Sequence, residues 1–389
     1  MQDIRCKIAG LCCFNVKNDP LLKGFCGLFG NSAVDRFEGY SEIISALLLS
    51  GKTLGEYLHD LLIFSNSPII ITAAKNPTEP RHQAIERDLE VIRELSRLDS
   101  KSLKKQLSEN FGTSFEALPD YDCGSFEYDA NYFIEFAKKH GSGSFAKYKA
   151  FSYDGELRPI EFPDPIRLSE LKNYDVQRQQ AVDNTLCFLN GKPAQNVLLY
   201  GDRGTGKSAT VKAILNEFES LRMVEISKNN IGLLPELFGK LRDIPLHFIV
   251  AIDDLSFSEN DDRFGALKAV LEGSLSRRPE NILIYATTNR RKIIRETAAE
   301  REISGADAID ESMSLADRFG LTITFTKPDK RLYLDIVSKL AADEGISVPE
   351  EKLFSEAEKF ALNRGGRSPR TARQFIDWLN GRISMNLEY

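Results

Sequence analysis

A single tryptophan and four histidines occur in 389 residues, no two cysteines stand in C-x-x-C spacing, and no run of 18 apolar residues occurs. Each scarcity closes a class. Without an apolar run of that length, no segment reads as a membrane span. The opening stretch "MQDIRCKIAGLCCFNV" is only briefly apolar, is interrupted by Lys7 and Asn15, and lacks a small-residue cleavage site. No export signal is therefore expected, and the reading is cytoplasmic. Cys6, Cys12, Cys13, Cys26, Cys123 and Cys187 are then expected as reduced thiols. The scatter of His59, His82, His140 and His247 argues against a structural zinc. Basic charge is short as well, with 51 Lys and Arg against 57 Asp and Glu and a net charge of -6. That balance argues against a generally nucleic-acid-coating surface and leaves room for a local basic face. What is present, 42% hydrophobic and 28% charged residues, is the composition of an ordinary globular chain of two or three domains.

Pattern divides the chain into parts. Residues 1–140 read as a mainly helical domain. Its clearest helix is "PRHQAIERDLEVIRELSRLDSKSLKKQL", where Ile85, Leu89, Ile92 and Leu95 recur at helical spacing; "YSEIISALLL" and "TLGEYLHDLLIFS" read as two more. Residues 141–165 gather Gly, Ser and Pro without clear periodicity and read as a linker. From 166 to 327 apolar runs ("NVLLY", "MVEIS", "HFIVAID", "ILIYATT", "LTITFT") alternate with helical patterns, which implies βαβ units and a parallel sheet. Residues 328–389 return to helices.

The stretch "LLYGDRGTGKSATVKAIL" carries the chemistry. Gly201, Gly206, Lys207 and Ser208 fit G-x-x-x-x-G-K-[ST] between an expected strand and an expected helix. Glycines let successive N–H groups curl around phosphate oxygens, and the helix start adds partial positive charge. Residues 201–209 (Gly201, Asp202, Arg203, Gly204, Thr205, Gly206, Lys207, Ser208, Ala209) are thus the expected phosphate cradle, with Lys207 on the β and γ phosphates and Ser208 on Mg2+. In "LHFIVAIDDLSF" an apolar strand ends in two carboxylates at the edge where such sheets bind ligands. Asp253 is expected to hold the metal, and Asp254 to prepare the attacking water.

With these motifs in order, residues from about 166 onward resemble an AAA+ ATPase module of the P-loop class. The resemblance implies an α/β fold: a three-layer αβα core with a parallel sheet and a C-terminal helical lid, behind the helical N-terminal domain. It implies further roles. In "YATTN", Asn289 (or Thr288) matches the polar sensor of the γ phosphate or the attacking water. In "LADRFG", Arg318 resembles the arginine that one subunit inserts into its neighbour's site. In "GGRSPRTARQF", Arg370 resembles the lid sensor. The segment "LSELKNYDVQRQQAVDNT" resembles the one that packs on adenine, with Tyr174 or a neighbour stacking. The activity implied is Mg2+-dependent ATP hydrolysis with ATP and ADP as ligands. The assembly implied is a homo-oligomer, a ring such as a hexamer or an open form, acting on a protein client through the N-terminal domain.

Three departures qualify this. Most family members carry Glu where Asp254 stands, which suits slow turnover, as a misplaced water of about 1 Å can cost on the order of a hundredfold. The stretch 290–317 is long and charged. "SKNNIGLLPELFGKL" lacks the aromatic-hydrophobic-glycine loop of polypeptide-threading motors. A nucleotide-gated switch with little hydrolysis, or a DNA-loading factor using arginines 364–373, are the alternative readings.

Overall fold

The computed structural model describes residues 2–112, 114–258, 262–272, 278–289, 294–295, 318–385 and 387. The expected excursion between Asn289 and Arg318 lies, apart from 294–295, outside the described residues. Two compact units are present: Met1–Tyr148 with Asp243–Leu246, and Lys149–Arg242 with His247–Tyr389.

The first unit is helical because its sequence closes helix ends locally. Ser32 and Asp35 form a reciprocal capping box on helix Ala33–Ser50, and Thr53 and Glu56 form another on helix Leu54–Ile63. Gly51, at φ 64°, ends the first of these in the left-handed region. Helix Glu79–Ser96 buries Ile85, Leu89, Ile92 and Leu95, the stripe that its periodicity predicts. It also buries Asp88, whose Oδ2 accepts the N–H groups of Cys12 (2.8 Å) and Cys13 (2.7 Å) and so fixes the turn after the first helix. The two Sγ atoms and an Asp88 oxygen lie within 4.8 Å of one another. Burial and the Asp88 charge push the Cys13 thiol well up, so it stays protonated.

The second unit is built on one sheet. Its strands are β1 (Ala150–Tyr153), β2 (Leu157–Ile160), β3 (Val197–Gly201), β4 (Leu221–Ile226), β5 (His247–Ile252), β7 (Ile282–Thr288) and β9 (Leu321–Phe325), in the order β2-β1-β4-β5-β7-β3-β9. Two short strands, β6 (Phe257–Ser258) and β8 (Ile294–Arg295), pair separately. All neighbours in the main sheet are parallel except β1 and β2. Leu199, Ile249, Leu283 and Ile323 pack on one face with side chains of helices Asp175–Leu189 and Lys207–Glu217. The alternate residues Leu198, Val250 and Ile284 are equally buried, so both faces are covered, as the near-continuous apolar strands require. Helices Lys330–Asp343, Glu350–Asn363 and Pro369–Ser384 form the lid around Tyr333, Ile336, Phe375 and Ile376. The fold is the α/β class expected, with the helical region before it and the helical lid after it.

The stretch read as a linker is structured. Residues 150–160 form the β1–β2 hairpin, and β1 joins the sheet edge beside β4. The cause is a turn over Asp154, Gly155 and Glu156 with Gly155 at φ 106°, flanked by strands too short for a periodicity test. Pro159 sits on the outer strand, where no donor is needed.

Candidate functional site

Register assembles the site. Ile252 of β5 is paired with Ala286 of β7, so Asp253 emerges beside Thr287; Tyr200 of β3 is paired with Thr288, so Gly201 emerges beside Asn289. Three strand ends thus deliver the loop, the acidic pair and the polar residue to one edge.

The loop needs its glycines for different reasons. A Cβ on Gly201 would lie 1.9 Å from Phe325 O, so β9 approaches too closely for any side chain. Gly204 (φ 76°) has its carbonyl taken by the N–H of Arg370 at 3.1 Å, and Gly206 (φ 95°) starts helix Lys207–Glu217. Asp202 and Thr205 shape the loop: Thr205 Oγ1 donates to Asp202 O (2.8 Å), and Asp202 Oδ2 accepts the Lys327 N–H (2.9 Å). Lys207 is 5% exposed and donates to Gly201 O (2.9 Å), Asp202 O (2.7 Å) and Asn289 Oδ1 (3.0 Å), which engages all three of its protons. Burial holds its ammonium below the usual lysine range, against the pull of Asp202, Asp253 and Asp254.

The acidic pair divides its contacts. Asp253 Oδ1 accepts from Ser208 Oγ (2.6 Å) and Thr287 Oγ1 (2.5 Å). Asp254 sits at φ 51°, a left-handed conformation that Asp tolerates better than most residues. Its N–H is held by Thr287 Oγ1 (3.1 Å), and its Oδ1 accepts Asn289 Nδ2 (2.8 Å). Thr287 therefore ties the Asp253 carboxylate to the Asp254 backbone N–H. Nothing in "YATTN" singles out Thr287, because a buried Thr inside an apolar strand carries no sequence signal of its own.

A cleft of about 710 Å³ opens here, lined on its polar side by Arg203, Lys207, Ser208, Asp253, Asp254, Asn289 and Arg370, with Ala209 and the backbone of Gly204 and Gly206. Its apolar lining is Ile166, Leu171, Ile336 and Leu340, and Glu170, Lys172, Glu344 and Arg373 also line it. Ile336 and Leu340 stand one helical turn apart on the lid and read from sequence only as lid core. Tyr174 is not among the residues that line this cleft. Its hydroxyl donates to Thr326 O (2.7 Å) and its ring lies 5.4 Å from Phe325, while burial and Asp202 push the hydroxyl up to about 12. A left-handed backbone at Asn173 and Tyr174 turns that ring toward the sheet and leaves Leu171, from the same segment, in the cleft. Arg318 lies at the far end of β9: Leu321 pairs with Val197 while Phe325 pairs with Gly201, so more than about 13 Å of strand separates it from the loop.

Ser208 and Asp253 present adjacent hard oxygen donors, the chemistry that Mg2+ takes.

Residues 145–383 match the family described as protein of unknown function (DUF815). The chain is 28% identical over 240 residues to an ATP-dependent zinc metalloprotease FtsH of Rhodothermus marinus, covering 55% of this chain and 32% of that protein. It is 26% identical over 228 residues to an AAA-ATPase of Arabidopsis thaliana (56% and 43%), and 24% identical over 222 residues to a 26S proteasome regulatory subunit 6B homolog of Encephalitozoon cuniculi (53% and 52%). The chain thus spans a third to a half of the length of these relatives. A solved RuvB variant of Thermotoga maritima aligns with TM-score 0.38 at 14% identity, covering 57% of this chain and 66% of that one. The chain belongs to the DUF815 family and is an AAA+ protein of the P-loop class.

Proposed function

We propose that this DUF815 member binds ATP and ADP with Mg2+ and hydrolyses ATP slowly, coupling turnover to rearrangement of a homo-oligomer that acts on a macromolecular client. Nucleotide chemistry belongs to residues 166–327, its coupling to the lid 328–389, and client recognition to the helical residues 1–140. The observation that carries this reading is the convergence of Lys207, Ser208, Asp253 and Asn289 through mutual hydrogen bonds at one cleft. Ser208 and Asp253 are the residues to hold Mg2+, which when bound neutralises phosphate charge. Lys207 exchanges its loop carbonyls for phosphate oxygens, and Ile166, Leu171, Ile336 and Leu340 form an apolar slot for the base. Asp254 orients and deprotonates water, Asn289 contacts the γ phosphate, and Arg370 reports it to the lid through its contact with the loop. Arg318 acts on a neighbour's nucleotide, because its own loop lies across the length of a strand.

The switch reading, with little hydrolysis, is favoured by one contact: the Asp254 oxygen is occupied by Asn289. An ATPase assay over a protein-concentration series separates the two. Specific activity that rises with concentration, falls in Arg318→Ala and partly returns on mixing Lys207→Ala with Arg318→Ala chains supports shared sites. Turnover at background at every concentration leaves the switch.

A further inference from the structure

The cleft does not end at the Lys207–Asn289 contact. A second cavity of about 500 Å³ shares Arg203, Gly204, Asn289 and Arg370 with it and continues to Lys327, Arg364 and Arg367. Its charge is one-sided. Arg367 is neutralised by Glu358 through bonds of 2.9 and 2.6 Å, but among the described residues Lys327, Arg364 and Arg370 have no carboxylate partner. The only acid on the described wall, Asp202, has Oδ2 on the Lys327 N–H.

Lys327 and Arg364 each lie along the cavity wall. Lys327 Nζ lies 2.6 Å from where a Cβ on Gly366 would stand, and Gly366 is at φ 112°, so this position admits glycine alone. The Arg364 guanidinium lies 5.3 Å over the Phe360 ring, which itself packs on Phe375 and Trp378. The start of helix Pro369–Ser384 adds no free amide in its first turn, since Pro369 has none, the Arg370 N–H goes to Gly204 O, and the Thr371 N–H goes to Ser368 Oγ. An anion here is therefore met by side chains. They converge on one space; a nucleic-acid backbone calls instead for a row of cations over successive phosphates.

We propose that this second cavity holds the inorganic phosphate made by hydrolysis before it reaches solvent. The inference rests on the nucleotide reading above. ATP and water give ADP and hydrogen phosphate: the water oxygen bonds to the γ phosphorus, the bond to the ADP oxygen breaks, and one proton leaves. The new dianion forms beside Arg203, Asn289 and Arg370, the three side chains shared by the two cavities, and Lys327 and Arg364 lie onward. Arginine and lysine donors suit an oxyanion of that charge.

The test titrates inorganic phosphate into the full chain saturated with ADP and Mg2+, by calorimetry, for the parent, Lys327→Gln, Arg364→Gln and Lys327→Arg. Both residues are exposed, so melting temperatures should match the parent. Phosphate should bind the parent, weaken about tenfold in each Gln variant and recover in Lys327→Arg, with ADP affinity unchanged throughout. Phosphate binding that is absent, or equal in parent and Gln variants, while ADP binds normally overturns the phosphate site alone. A parent that binds no ADP overturns the nucleotide reading and this inference together. Loss of single-stranded DNA binding in the Gln variants without loss of phosphate binding also overturns it, in favour of a nucleic-acid groove.

Discussion

Each unit buries a charged side chain, and the partners differ in kind. Asp88 in the helical unit is 1% exposed and accepts the amides of Cys12 and Cys13, donors that nothing else can satisfy. Lys207 in the α/β unit is 5% exposed and donates to the carbonyls of its own flexible-geometry loop and to an amide. The first arrangement is complete without a ligand and serves stability. The second is satisfied by groups that phosphate oxygens can replace, as the proposed function requires. Unusual backbone follows the same division, since Asn173, Tyr174 and Asp254, the non-glycine residues with positive φ among the described residues, all fall in the α/β unit.

The contrast predicts opposite phenotypes. Lys207→Ala should lower ATP turnover by at least about a hundredfold, the loss expected when a donor to transition-state charge is removed, while leaving the helical unit's hydrogen-exchange protection unchanged. A Lys207→Ala chain that still turns over ATP would erase the distinction. Asp88→Ala should do the reverse: it strands the buried Cys13 amide and frees the part-buried Cys12 amide, and should cost about 1–3 kcal/mol, read as faster exchange over residues 79–96 in mild urea, with ADP affinity intact. A smaller effect sharpens the cleft boundary. Leu171→Ala should weaken ADP about fivefold by shortening the apolar slot, whereas Tyr174→Phe should leave ADP affinity as it is; the opposite result would restore Tyr174 to the base.

The smallest effect is one of pH. Asp35 and Glu56 are held below their ordinary values of 3.8 and 4.5, in each case first by the backbone amide they cap or are capped with at Ser32 and Thr53. Their folded values being depressed, their contribution is present above those ordinary values and is lost as pH falls through the lower folded ones. The helical unit should therefore lose protection below about pH 4.5, and Asp35→Asn with Glu56→Gln should flatten that loss. A profile unchanged by the double substitution would remove the capping boxes from the account.

Much of the α/β unit was legible because its chemistry needs residue types at fixed spacing. Gly201 to Ser208 and Asp253 are tied to strand ends, and an apolar run followed by glycine or aspartate announces such an end. The apolar slot was not legible: Leu171 and Ile336 are 165 positions apart in number and look like any other aliphatic core residues. The β1–β2 hairpin was missed because four-residue strands are too short for periodicity to register. That Leu171 and not Tyr174 lines the cleft was not legible either, because an aromatic in a segment says nothing about which way the backbone turns.

By itself the amino-acid sequence determined the parallel α/β class, the phosphate loop, the acidic strand end and the helical stripe of residues 85–95, since each rests on interactions within a few residues. Only the tertiary structure decided that Thr287 joins Asp253 to Asp254, that Leu171 and not Tyr174 enters the cleft, and that Lys327 and Arg364 share a cavity with Asn289. Those facts depend on register between strands and on how the lid helices pack, and both are fixed by burial summed over many residues, which no local pattern encodes.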